Sequence, residues 1–132
     1  MAKMLRVVID TNVIVSALMS PQGNPAKILD MAADGKLRVC CSAEILEEYM
    51  DVLARPQFNF SAEDRESFIK FIKQFGLMFG PAASDIPLPD EGDRCFYDTA
   101  KSCEAILITG NTKHYPRELF IVTPAEFLTL IS

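Results

Sequence analysis

Histidine, paired cysteines, basic surplus and long apolar runs are scarce or missing in this chain, and each shortage excludes a class of protein. Lys and Arg number 13 against 18 Asp and Glu, a net charge of −5, so no strongly basic surface for coating nucleic acid is expected. That balance still admits a nucleic-acid enzyme whose gathered carboxylates hold divalent cations, a site that repels phosphate until the metal arrives. The one histidine is His114, and the cysteines, Cys40, Cys41, Cys95 and Cys103, include no C-x-x-C spacing, which sets aside zinc-ribbon and dithiol chemistry. Adjacent Cys40 and Cys41 point to opposite faces of a strand, so reduced, buried thiols in a cytoplasmic protein are expected rather than a shared metal or a disulfide framework. No apolar run approaches the roughly 18–20 residues that cross a bilayer. The stretch from Leu5 to Ile9 is too short for a signal peptide and ends in Asp10. With 6 Gly, 8 Pro and no internal repeat, collagen-like and low-complexity architectures are excluded too.

What is present is the mixture of a soluble globule. The 132 residues are 49 % apolar and 23 % charged, enough to bury a core and the length of one domain, taken as 1–132. Leu5 to Ile9 is a β-branched run without clean alternation, the mark of a strand covered on both faces in a parallel sheet. Val13 to Met19 predicts a short helix. Asn24-Pro25 predicts the N-cap and first position of a second helix, stopping near Gly35, and Leu37 to Cys41 predicts a second strand. Ser42 and Ser61 are expected to cap helices whose apolar residues, Ile45, Leu46, Tyr49, Met50 and Leu53 in one and Phe68, Ile69, Ile72 and Phe75 in the other, recur at helical spacing. Leu77 to Phe79 reads as a brief strand, Pro81 to Gly92 as a loop, Asp93 to Cys103 as a helix, and Ala105 to Thr109 and Leu119 to Val122 as strands. Thr123-Pro124-Ala125-Glu126 is a capping box that opens a last helix. This alternation predicts an α/β fold, a three-layer α/β/α sandwich around a mainly parallel central sheet.

In such sheets ligands collect beyond the carboxyl ends of the strands, where strand order reverses. Asp10 ends the first strand and Thr109-Gly110-Asn111 ends the fourth, so as neighbours at the switch point the two segments face one crevice. Alone, Asp10 reads equally well as an N-cap for the helix that follows. Asp93 projects onto the helical arc of Phe96, Tyr97, Ala100 and Cys103, so its carboxylate turns inward, either to cap or to hold something positive. Asp98 projects to the opposite side and reads as a solvated charge; Asp90 reads as loop. On the middle helix Glu44 and Asp51 belong to solvent, while Glu47 and Glu48 flank the apolar arc symmetrically and periodicity does not choose between them. Asp10-Thr11-Asn12-Val13 is no Gly-rich dinucleotide turn, and Asn12 stands where phosphoryl transfer of the haloacid-dehalogenase type needs a second Asp.

Five segments in order, Val8-Ile9-Asp10-Thr11-Asn12-Val13, Ser42-Ala43-Glu44-Ile45-Leu46-Glu47-Glu48-Tyr49, Asp90-Glu91-Gly92-Asp93-Arg94-Cys95-Phe96, Leu107-Ile108-Thr109-Gly110-Asn111 and Ile121-Val122-Thr123-Pro124-Ala125-Glu126-Phe127-Leu128, carry a resemblance. Together they are similar to PIN-domain proteins, of the group of toxin components of toxin–antitoxin pairs (VapC-like ribonucleases). The resemblance implies a parallel sheet between helices and four acidic positions that bind Mg²⁺ or Mn²⁺. These fall on Asp10, Glu48, Asp93 and position 111; the family's spacing from Ser42 favours Glu48 over Glu47. By the same resemblance Asp10, Glu48 and Asp93 are catalytic, and Thr11, Asn12 and Thr109 are polar neighbours of the metal. RNA is then the substrate, water the nucleophile and a 5′-phosphate the product end, with an antitoxin protein and a second copy of the chain as partners, in the cytoplasm.

Position 111 departs from the pattern. Asn111 offers a neutral oxygen where hard divalent cations prefer a carboxylate, so it is a weak ligand. Three consequences stay open: one metal suffices, cleavage is slow, or the protein is an inactive module that binds RNA or a protein partner. Lys113, His114 and Arg117 are candidate phosphate contacts or else an ordinary solvated loop, and Phe58 and Phe60 are a candidate dimer contact or else core.

Overall fold

The computed structural model describes residues 4–132 and arranges them around strands β1 (Leu5–Ile9), β2 (Leu37–Cys41), β3 (Leu77–Met78), β4 (Ile106–Ile108) and β5 (Ile121–Val122). All pairings are parallel and the spatial order is β3-β2-β1-β4-β5, so the chain winds outward from β1 to one edge and then crosses to the other. The order reverses between β1 and β4. Ile9 lies opposite Ile108 there, and the Asp10 amide extends the ladder by donating to the Ile108 carbonyl at 2.9 Å. Asp10 and Thr109 therefore leave the sheet side by side at its carboxyl edge.

Six helices flank the sheet: α1 (Thr11–Met19), α2 (Asn24–Ala33), α3 (Ala43–Leu53), α4 (Ala62–Phe75), α5 (Arg94–Ser102) and α6 (Pro124–Ile131). Helix α2 packs on α1 and α6, whereas α3 packs on α4 and α5, and α5 lies along β1 and β4. Cover on both faces explains why Val7, Val8 and Ile9 are all fully buried in succession. Tyr49 of α3 sits in the core, edge-on to Phe68 of α4 at 5.6 Å and tilted against Phe96 of α5 at 6.3 Å. Such aromatic pairs tie α3 to both its neighbours. No helix among the described residues is long and apolar enough to cross a membrane.

The predicted caps at Ser42 and Ser61 form, accepting from the Ile45 and Asp64 amides, and Thr123 and Glu126 close a reciprocal capping box. Several boundaries move. Helix α1 starts at Thr11, directly after Asp10, rather than at Val13. Gly23 holds the N-cap of α2, which puts Asn24 inside the helix and Pro25 at its second position, still within the turn where an amide is dispensable. Residues 91–93 form a 3₁₀ turn, so α5 begins at Arg94. Strand β5 is confined to Ile121 and Val122 because the Ile121 amide closes a turn onto the Glu118 carbonyl at 3.1 Å, leaving Leu119 in solvent. Phe58 and Phe60 stack at 5.7 Å and lie half-buried against the core.

Asp98 is a correction of substance. It is 5 % exposed, not a solvated charge. The segment 81–90 folds back over the outer side of α5, where the Ser84 amide donates to Asp98 Oδ2 at 3.3 Å. Arg94 secures that segment by donating to the Ser84 and Ile86 carbonyls, each at 2.8 Å. Periodicity reports the face a helix turns to the sheet; it is silent about a loop laid across the other face.

Candidate active site

Asp10 holds the N-cap position of α1, with the extended backbone such a residue needs, yet its side chain makes no capping bond. Its Oδ2 instead accepts hydrogen bonds from Thr109 Oγ1 at 2.8 Å and Tyr115 Oη at 2.9 Å. Thr109 is there because β4 ends beside β1; Tyr115 arrives from the loop beyond β4, folded under so that it is 5 % exposed. From below, the Tyr49 hydroxyl donates to the Ile9 carbonyl, bracing the last peptide of β1. Burial pushes the Asp10 carboxyl above its ordinary range, opposed by the hydrogen bonds from Thr109, Tyr115 and the Thr11 amide. Tyr115 and Tyr49 are parts of this site that the sequence did not announce. One sits in a polar loop and the other on an apolar helical arc, and neither pattern marks a hydroxyl partner.

Glu48 is brought in by α3. Thr11, first residue of α1, donates its hydroxyl to Glu48 Oε2, while Glu47 is exposed. Burial raises the Glu48 carboxyl; the Thr11 hydroxyl opposes this, and the charge of Asp10 adds to it. Asp93 differs from Asp10 in its backbone, which is helical at the end of a 3₁₀ turn capped by Asp90 through the Gly92 amide. It occupies the N-cap position of α5 without capping it, and its Oδ2 is buried with no hydrogen-bond partner. Its carboxyl is pushed up to about 6, first by burial, then by the charges of Asp10 and Asp90, with a smaller push from Glu48 and an opposing pull from His114. The charge of Asp10 thus raises the proton affinity of both Glu48 and Asp93, and Glu48 adds to Asp93, as carboxylates near one another do.

The remaining candidates divide into two groups. Asn12 Oδ1 accepts from the Gly110 amide at 3.0 Å, joining the two loops at the switch point. The Asn111 amide donates to Thr109 Oγ1 at 3.1 Å, and Asn111 Nδ2 lies 2.9 Å from His114 Nε2. His114 Nδ1 in turn stands 3.6 Å from Asp93 Oδ2. Lys113 and Arg117, on the same loop, are exposed.

The acids form an open arrangement. Among the described residues, no three His, Cys, Asp or Glu side chains are close enough to cage one ion. The donors nevertheless fit a hard divalent cation: three carboxylates, mutually repelling, one with a buried oxygen that nothing satisfies. A groove of about 800 Å³, lined by Met50, Leu53, Arg65, Ile69 and Lys73, lies between α3 and α4 and contains none of these acids. The convergence of charged groups, not the size of a hollow, marks the site.

A family model described as a PIN domain matches residues 6–113. The uncharacterized protein MJ1680 of Methanocaldococcus jannaschii is 33 % identical over 110 residues, covering 81 % of this chain and 71 % of that protein. The crystal structure of VapBC2 from Rickettsia felis, bound to a DNA fragment from their promoter, is similar with a TM-score of 0.59 at 15 % identity, over 90 % of this chain and 97 % of the matched one; that likeness is one of fold. The family match runs from β1 to the turn after β4 and so takes in Asp10, Glu48, Asp93 and Asn111. The chain belongs to the PIN-domain family.

Proposed function

We propose that the protein is a divalent-metal-dependent endoribonuclease, the toxin of a toxin–antitoxin pair. Asp10, Glu48 and Asp93 would hold Mg²⁺ or Mn²⁺, and Thr11, Asn12 and Thr109 are the polar groups around them. The reading is carried by one observation: Asp10 and Asp93 both sit at helix starts, cap nothing, and direct mutually repelling carboxylates into the crevice between β1 and β4. A cation bound there would offset charge building on the scissile phosphate and make water a competent nucleophile near neutral pH.

The chain's own groups do the rest. Thr109 and Tyr115 fix the Asp10 carboxylate through Oδ2, and Thr11 fixes Glu48, so two of the three acids have set orientations. Asp93, with its carboxyl near 6, is ionised at neutral pH. Lys113 and Arg117, exposed beyond Asn111, are placed to meet the phosphates flanking the cut, which the net negative charge would otherwise repel. An antitoxin is the protein partner in this reading, a homodimer the assembly and the cytoplasm the location.

A second reading, a PIN fold that binds RNA or a protein without cutting, is favoured by Asn111 in place of an acid and by the open spacing of the carboxylates. One experiment separates the two: a mixed RNA panel incubated with and without Mn²⁺, wild type beside Asp10→Asn. The amide keeps an oxygen for Thr109 and Tyr115, so the variant should fold while Mn²⁺-dependent cleavage disappears. Equal cleavage by the variant, in a preparation free of contaminating nuclease, removes the site assignment. RNA retained but uncut by wild type establishes the binding reading.

A further inference from the structure

Asn111 stands where the resemblance calls for an acid, but its side chain is engaged by His114. The backbone holds the two together: the Asn111 amide is tied to Thr109 Oγ1, and the 3₁₀ turn Thr112–His114 returns the His114 amide to the Asn111 carbonyl at 3.2 Å. The imidazole is thereby gripped at Nε2, and its other nitrogen is presented to Asp93. The gap from Nδ1 to Asp93 Oδ2 is 3.6 Å, too long for a hydrogen bond, and that oxygen is buried without a partner. Two metal–ligand bonds of about 2.1 Å meeting at roughly 120° span such a gap.

We infer that His114 supplies, through Nδ1, the metal ligand that position 111 has lost, and that Asn111 serves to orient the ring. This rests on the metal-dependent reading above and goes beyond it in naming the donor. A ligating imidazole needs its second nitrogen protonated and accepted by an oxygen. The Asn111 amide, turned end for end, places Oδ1 where Nδ2 lies and provides that acceptor, fixing the tautomer. A nitrogen donor beside carboxylates also alters metal choice: Mg²⁺ takes oxygen ligands, whereas imidazole favours first-row transition ions. The site is therefore one for a transition-metal dication in preference to Mg²⁺.

The chain has one histidine, which makes the test specific. The 132-residue chain is loaded with Mn²⁺ and examined by pulsed electron paramagnetic resonance, unlabelled and grown with ¹⁵N-histidine. A directly bound ¹⁴N coupling that changes to ¹⁵N on labelling, and vanishes in His114→Gln, is the expected result. Mn²⁺ affinity should fall about tenfold in Asn111→Ala, where the ring loses its support. Mn²⁺ bound with no histidine coupling overturns the ligand assignment and leaves the metal site standing. Absence of any bound Mn²⁺ in the wild type overturns the metal-dependent reading itself. The labelling arm uses wild-type protein only, so it decides even if His114→Gln fails to fold.

Discussion

Removing the negative charge of Asp93 should stabilise the metal-free protein. The sign follows from its carboxyl, which is raised from 3.8 to about 6 in the fold. A raised carboxyl means the native state holds its proton more tightly than the unfolded chain does, so stability is lost as pH rises from about 4 to about 6 and stays lost above that range. At about 1.36 kcal/mol per pH unit the full penalty approaches 3 kcal/mol; the side chain is partly open to solvent, and screening reduces this to about 1–2 kcal/mol. Asp93→Asn should therefore raise the melting temperature in EDTA at pH 7.5 by about 4–8 °C, scaled to a chain of this length, with the gain shrinking toward zero at pH 4. Circular-dichroism melts at the two pH values supply the numbers. The opposite sign is expected if Asp93 merely caps α5, because a capping aspartate also interacts favourably with the helix dipole. A variant less stable than wild type at pH 7.5, or a gain that ignores pH, would refute the electrostatic account of the site.

Mn²⁺ binding by the wild type should weaken as pH falls through about 6, where Asp93 takes up a proton; calorimetric affinity unchanged down to pH 5 would place Asp93 outside the metal's reach. Tyr115→Phe leaves Asp10 one hydrogen bond short. It should cost about 1.5–3 kcal/mol in urea unfolding at neutral pH and move the pH midpoint of Mn²⁺ binding upward; a midpoint that stays put would show that the tyrosine does not tune Asp10. Asn111→Asp restores a negative charge beside the crevice and should tighten Mn²⁺ about tenfold (roughly 1.4 kcal/mol). Equal or weaker binding by titration calorimetry would contradict the role of position 111 in supporting the His114 ring.

The parallel sheet was readable because Val7, Val8 and Ile9 of β1 are apolar in succession on both faces, a pattern that two-sided cover explains. Helix starts were readable wherever a Ser or Thr hydroxyl makes the cap, as at Ser42, Ser61 and Thr123. Asn24 misled for the same reason: its side chain suits an N-cap, but Gly23 adopts the extended backbone one residue earlier. The loop over α5 was illegible, since Asp98 is buried by Ser84 and by Arg94's grip on carbonyls at 84 and 86, contacts with no period in the sequence. Glu47 and Glu48 illustrate the limit of helical projection. Both flank the apolar arc, and only the position of Thr11 at the head of α1 turns one of them into the crevice.

Asp10 and Asp93 carry the wider consequence. An aspartate before a helix is most simply a cap, and sequence offers no way past that reading, although the extended backbone a cap needs is present at Asp10 and not at Asp93, which is helical. What separates the two cases is where the lost capping bonds are replaced. Asp10 turns to Thr109 and Tyr115, groups delivered by the end of β4 and the loop beyond it about a hundred residues on, and Asp93 leaves one oxygen buried and unsatisfied. Each helix start still contributes its partial positive charge nearby, which eases the holding of a carboxylate without discharging it. Two helix starts that decline their caps and aim at one crevice are thus a stronger indicator than either acid alone. Together they are destabilising in the empty protein, and a cation is what would reverse the sign: Mn²⁺ should raise the wild-type melting temperature more than that of Asp93→Asn, and an equal rise in both would mean that the ion binds elsewhere.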